Sequence, residues 1–195
     1  MEKYELNFCY KGGRTYVHGT DIYNMLIEKL DNKMNKGMFD LSFHGVARKN
    51  VLLQGEKPDE DKIKFACKYI DTEGIKKTLY GIEDKSEVNC RYEYPEERIC
   101  QLSDLNLSNN EVNLGETTSF SFIENTVALN KYLLESLFSD ITGKWYFTRL
   151  QLKKVIRDAE YPLKLVLKAN FNFKLTKSEI FIQDTSVGFI YFSLV

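Results

Sequence analysis

What this chain of 195 residues lacks narrows its function before any motif is considered. No apolar run approaches the ~20 residues that span a bilayer. The first ten residues, MEKYELNFCY, hold no hydrophobic leader core and alternate as a strand instead. The expected setting is therefore the cytoplasm, with no membrane partner. Lys and Arg together number 27 against 28 Asp and Glu, so a formal charge of -1 leaves no field to gather nucleic acid. Cysteine is scarce: Cys9, Cys67, Cys90 and Cys100 include no C-x-x-C pair, which argues against a zinc or dithiol motif. In a cytoplasmic chain the four are expected as reduced thiols. Only two histidines occur, His18 and His44, so no His-rich metal pair is present. A glycine-rich phosphate loop and a nucleophile elbow are missing as well. No metal and no cofactor are expected.

What the chain does contain is one pattern used twice. In Thr20 to Leu30, TDIYNMLIEKL, the residues Ile22, Met25, Leu26, Lys29 and Leu30 fall on one helical face. Thr20 or Asp21 can cap its start through a side-chain oxygen. In Val127 to Leu137, VALNKYLLESL, the positions Leu129, Tyr132, Leu133, Ser136 and Leu137 repeat the spacing, with Asn125 or Thr126 as the cap and Gly143 at the exit. Superposed, Leu26 meets Leu133, Ile27 meets Leu134, Glu28 meets Glu135 and Leu30 meets Leu137.

The flanking segments repeat too. Residues 3–9 alternate as a strand ahead of the first helix, and Thr118 to Phe122, TSFSF, alternate ahead of the second. After the first helix come the β-rich run 39–53, a polar turn at 54–61, and strands at 63–70, 75–82 and 88–94, with a turn at 83–86. After the second come the β-rich run 145–156, a polar turn at 157–162, a strand at 163–173, a turn at 176–178 and strands at 179–183 and 187–194. The expected organisation is 1–95 as first repeat, 96–116 as connection and 117–195 as second repeat. A helix lying on a curled antiparallel sheet leaves an outer edge with unpaired backbone groups. Two such halves can join edge to edge into one continuous sheet with two central helices, a pseudo-dimer in one chain that is open to further homo-oligomerisation.

With LIEKL and LLESL followed each time by this strand–turn–strand pattern, the sequence resembles the hot-dog superfamily in its fused, double hot-dog form, an α+β fold. In β-hydroxyacyl thioester dehydratases the segment after the helix looks like F-x-R-P-V-x-P-G-D-x-L. Here ARKNVLLQGEKPDEDKI and TRLQLKKVIRDAEYPLKLVL keep the order of basic residues, apolar pair, polar turn and long strand, but lack the Pro-Gly-Asp. The resemblance covers nearly the whole chain. It implies an acyl-thioester enzyme, taking acyl-CoA or an acyl-carrier protein in a tunnel at the seam between halves. The leading reading is a 3-hydroxyacyl dehydratase; a thioesterase and a non-catalytic binding or scaffold protein are the alternatives.

The resemblance also implies roles. The dehydratases place a His before one helix and a Glu or Asp on the other. His18 matches the first position, Glu135 the second, and Glu28 is the repeat twin of Glu135. A His beside a carboxylate can remove an α-proton and protonate a leaving hydroxyl. Gly19 and Thr20 offer helix-start N–H groups to the thioester carbonyl. Here, however, the surrounding sequence is VHGTD, without the family's Pro-Gly signatures, and IENTVALN in the second half holds no His. At most one of the two sites is expected to act. Asp21 stands where hot-dog thioesterases carry a water-activating acid, although its position also suits an N-cap. Tyr23 and Asn24 either line the tunnel mouth or face solvent. Arg48, Lys49, Lys153 and Lys154, at equivalent strand ends, either hold CoA phosphates or an acidic carrier, or protect the edges. His44 is expected to be an ordinary strand histidine.

Overall fold

The first helix forms where its stripe was expected, but Tyr23 and Ile27 join the buried face, while Met25 is half-buried and Lys29 exposed. In a computed structural model, which describes residues 3–195, the segment forms an α-helix (α1, Gly19–Lys29) that buries Ile22, Tyr23, Leu26 and Ile27. Its start is built differently from the expectation. His18 is the N-cap, and its carbonyl accepts from the amides of Asp21 (3.0 Å) and Ile22 (3.2 Å). Thr20 and Asp21 lie inside the first turn, which frees both side chains for other partners.

The chain divides into two units, Met1–Pro95 and Glu96–Val195. Unit 1 runs β1 (Lys3–Leu6), β2 (Tyr10–Lys11), α1, β3 (Met34–Phe43), β4 (Lys49–Gln54), β5 (Ile63–Asp71), β6 (Lys76–Glu87) and β7 (Arg91–Tyr92). Its sheet has the order β1-β4-β6-β5-β3, every pair antiparallel. The stretch 83–86, expected as a turn, continues β6. Of 88–94 only Arg91–Tyr92 is a strand, and it pairs in parallel with β2 rather than joining the sheet. The helix-facing row holds Leu6, Phe39, Leu41, Val51, Leu53, Phe65 and Cys67, all fully buried. Gly81 is required by this packing, because a Cβ there would lie 2.3 Å from the Phe65 ring.

Unit 2 runs α2 (Glu97–Gln101), β8 (Asp104–Asn106), β9 (Glu111–Leu114), α3 (Phe122–Leu137), β10 (Trp145–Leu152), β11 (Leu163–Phe171), β12 (Leu175–Ile182) and β13 (Thr185–Leu194). The strand order is β10-β13-β12-β11-β9-β8. Residues 96–116, read from sequence as a connection, contribute α2, β8 and β9, and β9 pairs with β11. TSFSF is not a strand, and α3 begins at Phe122 rather than near Val127. The cap is Ser121, neither Asn125 nor Thr126. Its hydroxyl accepts from the Glu124 amide (3.4 Å), and its own amide donates to Glu124 Oε2 (2.9 Å), a capping box. The turn expected at 176–178 falls instead at Asn172 and Phe173, where φ is 51° and 60°. A bulge between Leu167 and Ala169 breaks the alternation of β11. α3 packs on α2, β9 and β11. Phe138, Trp145 and Phe173 cluster beyond its end, with centroids 5.1–6.3 Å apart.

The two units repeat the order of elements but not the order of strands. In unit 2, β11, β12 and β13 form a meander, because turns as short as Gln183–Asp184 can join only hairpin neighbours. In unit 1 the longer connection 55–62 carries the chain past β6, so β4 and β5 are not neighbours. Among the described residues no helix is long and apolar enough to cross a membrane.

Candidate functional site

The polar side chains at the start of α1 are held by residues that carry no motif. Strand β2 brings in Lys11, its parallel partner β7 brings in Tyr92, and Tyr94 follows β7. Lys11 is fully buried. Its ammonium donates to Thr20 Oγ1 (2.9 Å) and Asp21 Oδ1 (3.1 Å), and it lies 4.0 Å from the centroid of the Tyr94 ring. A buried ammonium needs such partners, since desolvation otherwise disfavours the charge strongly. The Tyr92 hydroxyl donates to the same Asp21 oxygen at 2.7 Å. Asp21 Oδ2 is enclosed and has no hydrogen-bond partner among the described residues. Asp21 is therefore no helix cap. It is a carboxylate with one oxygen anchored and the other buried without a partner.

His18 is 8% exposed, and its Nδ1 lies 2.7 Å from Thr20 Oγ1. Thr20 has one hydroxyl proton. If it donates to Nδ1, the imidazole carries its proton on Nε2; if Nδ1 donates instead, the hydroxyl turns to Asp21 Oδ1, 3.4 Å away. His18, Thr20, Asp21 and Lys11 thus form one connected polar chain, and Thr20 links its histidine to its carboxylate.

The remaining sequence candidates lie elsewhere. Glu28 is 71% exposed beside Lys29, and a helix rise of 1.5 Å per residue puts it roughly 15 Å along the axis from His18. Glu135 is 52% exposed, 4.0 Å from Lys131, whose closer partner is Glu96 at 2.9 Å. Tyr23 neither faces solvent nor lines a mouth: it is 1% exposed and packs edge-on against Phe39, 5.4 Å between centroids. Gly19 opens α1. Arg48 is exposed at the surface. Lys49 is engaged by Glu87 at 2.6 Å, which holds its ammonium above the ordinary lysine range. Lys153 donates to the Ser186 carbonyl (3.0 Å) and hydroxyl (2.9 Å), and Lys154 is exposed. His44 lies just past β3, with Nε2 3.3 Å from the Ser42 hydroxyl. Among the described residues no cluster of three His, Cys, Asp or Glu side chains is placed to hold a metal ion.

The cysteines correct one expectation. Cys9 and Cys90, 81 residues apart, form a disulfide, so two of the four are not free thiols. Cys67 is buried, and burial raises its thiol pKa far above the usual range. Cys100 is half-buried and is pushed up to about 11, chiefly by burial.

Each unit sets one long helix and an antiparallel sheet around a common core, and the chain as a whole is a double hot-dog fold of the α+β class. Solved structures with this architecture include the tesB protein of Mycobacterium avium subsp. paratuberculosis, at TM-score 0.50 and 7% identity, with 97% of this chain and 90% of that one covered. The dehydratase domain of RzxB from Pseudomonas fluorescens is similar at TM-score 0.50 and 9% identity, with 98% and 94% covered. No family model and no curated protein matches the sequence.

Proposed function

We propose that the protein is an acyl-thioester enzyme whose chemistry is centred on the start of α1, and that it hydrolyses the thioester. The observation that carries this reading is the enclosed, unpartnered Oδ2 of Asp21, in a cluster where Thr20 links the carboxylate to His18 and Lys11 and Tyr92 fix the other oxygen. A water on Oδ2 gives up a proton to the carboxylate as its oxygen attacks the acyl carbon. The amides opening α1 stabilise the charge that develops on the carbonyl oxygen. The C–S bond breaks, and His18 Nε2–H protonates the departing thiolate. The likeness to the tesB protein and to a dehydratase domain supports the fold on which such chemistry is built; the substrate in this reading is acyl-CoA or an acyl-carrier protein. Arg48, exposed in the same unit as α1, is the cation left there from the sequence candidates for the carrier's phosphates.

The dehydratase reading keeps His18 but pairs it with Glu135. Glu135 stands exposed beside Lys131, whereas Asp21 is enclosed and held by Lys11 and Tyr92, so hydrolysis is favoured. The test is a panel of saturated, enoyl and 3-hydroxyacyl-CoA thioesters followed by mass spectrometry. Hydrolysis predicts CoA release that falls at least ~100-fold in Asp21→Asn and is unchanged in Glu135→Gln. Loss of water that disappears in both His18→Ala and Glu135→Gln would establish the dehydratase instead. An inert wild-type protein with both CoA and carrier-protein thioesters would leave the binding role.

A further inference from the structure

The residues that hold Asp21 come from two arms that leave the sheet of unit 1, and one covalent bond ties those arms together. The first arm runs from the end of β1 to α1 and carries Cys9 and Lys11. The second follows β6 and carries Cys90, Tyr92 and Tyr94. Cys9 is two residues from Lys11, and Cys90 two from Tyr92, so the crosslink stands directly behind both groups on Asp21. The non-covalent contacts between the arms include the two-residue parallel pair β2–β7, the Tyr10 amide on the Cys90 carbonyl (2.9 Å), the Gly12 amide on the Tyr92 carbonyl (2.8 Å), the Arg91 guanidinium on the Gly12 and Arg14 carbonyls (the latter 2.8 Å), and the Lys11 ammonium over the Tyr94 ring (4.0 Å). A two-stranded pair of this length is not stable by itself. Cys90 is exposed and Cys9 half-buried, so the bond lies within reach of a reductant.

We propose that the Cys9–Cys90 disulfide is a redox latch on the Asp21 site. Oxidised, it presses Lys11 and Tyr92 onto the carboxylate. A dithiol opens it by exchange. One thiolate attacks a sulfur of the bridge and releases the other cysteine as a thiol, and the second thiolate then displaces the remaining cysteine. Two electrons and two protons pass to Cys9 and Cys90, and the dithiol leaves as a disulfide. The released arms separate, Lys11 gains solvent, and Asp21 loses its anchor.

As a control over turnover the latch rests on the function proposed above, so its test reads the arms directly. The oxidised protein, the protein reduced with dithiothreitol, and Cys9→Ser/Cys90→Ser are each treated briefly with a lysine-acetylating ester, and each site is quantified by peptide mass spectrometry. Lys11 should be acetylated at least ~10-fold faster in the reduced and doubly substituted proteins, while Lys62, 61% exposed, is unchanged. Where thioester turnover is measurable, it should change over the same reduction midpoint; its absence bears only on the function. Lys11 equally inert in all three proteins overturns the latch. Loss of the folded circular-dichroism spectrum on reduction also overturns it, since the bond would then support unit 1 as a whole.

Discussion

The starts of α1 and α3 are the same place in two copies of one scaffold, and they spend their polar side chains in opposite ways. At α3 every named group closes the helix end. Ser121 and Glu124 form the capping box, and the Asn125 amide donates to the Phe120 carbonyl (3.2 Å) and the Tyr161 hydroxyl (3.1 Å) while accepting from Thr118 (2.9 Å). At α1 the cap is backbone alone, and the side chains of the first turn form a charged cluster with one acceptor left unpartnered among the described residues. Of the two helix starts, the one at α1 is where the proposed chemistry is placed. A neutral network of complete hydrogen bonds stabilises, whereas a buried charge pair with an unpartnered oxygen is costly to retain, which is the ground for placing the proposed chemistry at α1.

The comparison breaks most visibly at Lys11. Lys11→Met leaves Asp21 beside a site built for a cation and is expected to lower unfolding stability by about 3 kcal/mol. Replacing both members, Lys11→Met with Asp21→Leu, should recover much of that loss, because desolvating a buried ion pair offsets most of its mutual attraction. At the other end Asn125→Ala removes neutral bonds only and should cost about 1–2 kcal/mol. Urea denaturation of the four proteins measures all of this. An Asn125→Ala loss exceeding that of Lys11→Met would reverse the assignment of the two ends.

How much of this could be read from the sequence depends on the kind of signal each feature leaves. The stripe of α1 was legible because one side of the helix is polar. The start of α3 was not, since Phe122 through Asn130 are buried almost all round, with only Glu124 partly exposed, and SFSF alternates as a strand would. The serine three residues before Glu124 was the signal available there. The crossing of β4 and β5 around β6 left no trace, because alternation reports the face of a residue and not its neighbouring strand. His18, Thr20 and Asp21 were legible as a group from their place before the helix. Lys11, Tyr92 and Tyr94 were not: a lysine beside Gly12-Gly13 reads as a turn, and Tyr-x-Tyr reads as a strand face. Their meeting, like that of Cys9 with Cys90, depends on a contact about eighty residues long in sequence that no local pattern encodes.

A second comparison follows from the helix alignment, in which Tyr23 and Asn130 share a position. Tyr23 packs its ring on Phe39. Asn130 is as deeply buried, and neither atom of its side-chain amide has a partner among the described residues. Replacing an unpartnered buried amide by a similar apolar shape removes a desolvation penalty, so Asn130→Leu should stabilise the protein by about 1 kcal/mol, seen as a higher melting temperature. A destabilised variant would show that the amide serves a hydrogen bond and would move unit 2 closer to unit 1 in character.

The smallest expected difference lies in the hairpins. The turn from β5 to β6 is organised by Asp71, whose Oδ1 accepts from the amides of Glu73 (3.0 Å) and Ile75 (2.8 Å), with Lys77 3.4 Å from its other oxygen. Burial pushes its carboxyl up, but the two amides and the ammonium outweigh this and hold it below the ordinary aspartate range. The turn from β12 to β13 relies on backbone conformation instead, with Gln183 and Asp184 at φ 49° and 63°, and Asp184 is 84% exposed. A carboxyl with a depressed folded-state pKa contributes stability that is fully present above its unfolded value of about 3.9 and disappears as pH falls through the lower folded value. Asp71→Asn keeps an acceptor for the two amides and removes only the charge. It should therefore be less stable than wild type at pH 6, and the gap should close on acidification below about pH 4. Asp184→Asn removes one exposed ion pair, with Lys164, and should cost about 0–1 kcal/mol at most. Denaturation curves between pH 3 and pH 6 decide it: parallel behaviour of the two variants would mean that the hairpins are anchored alike.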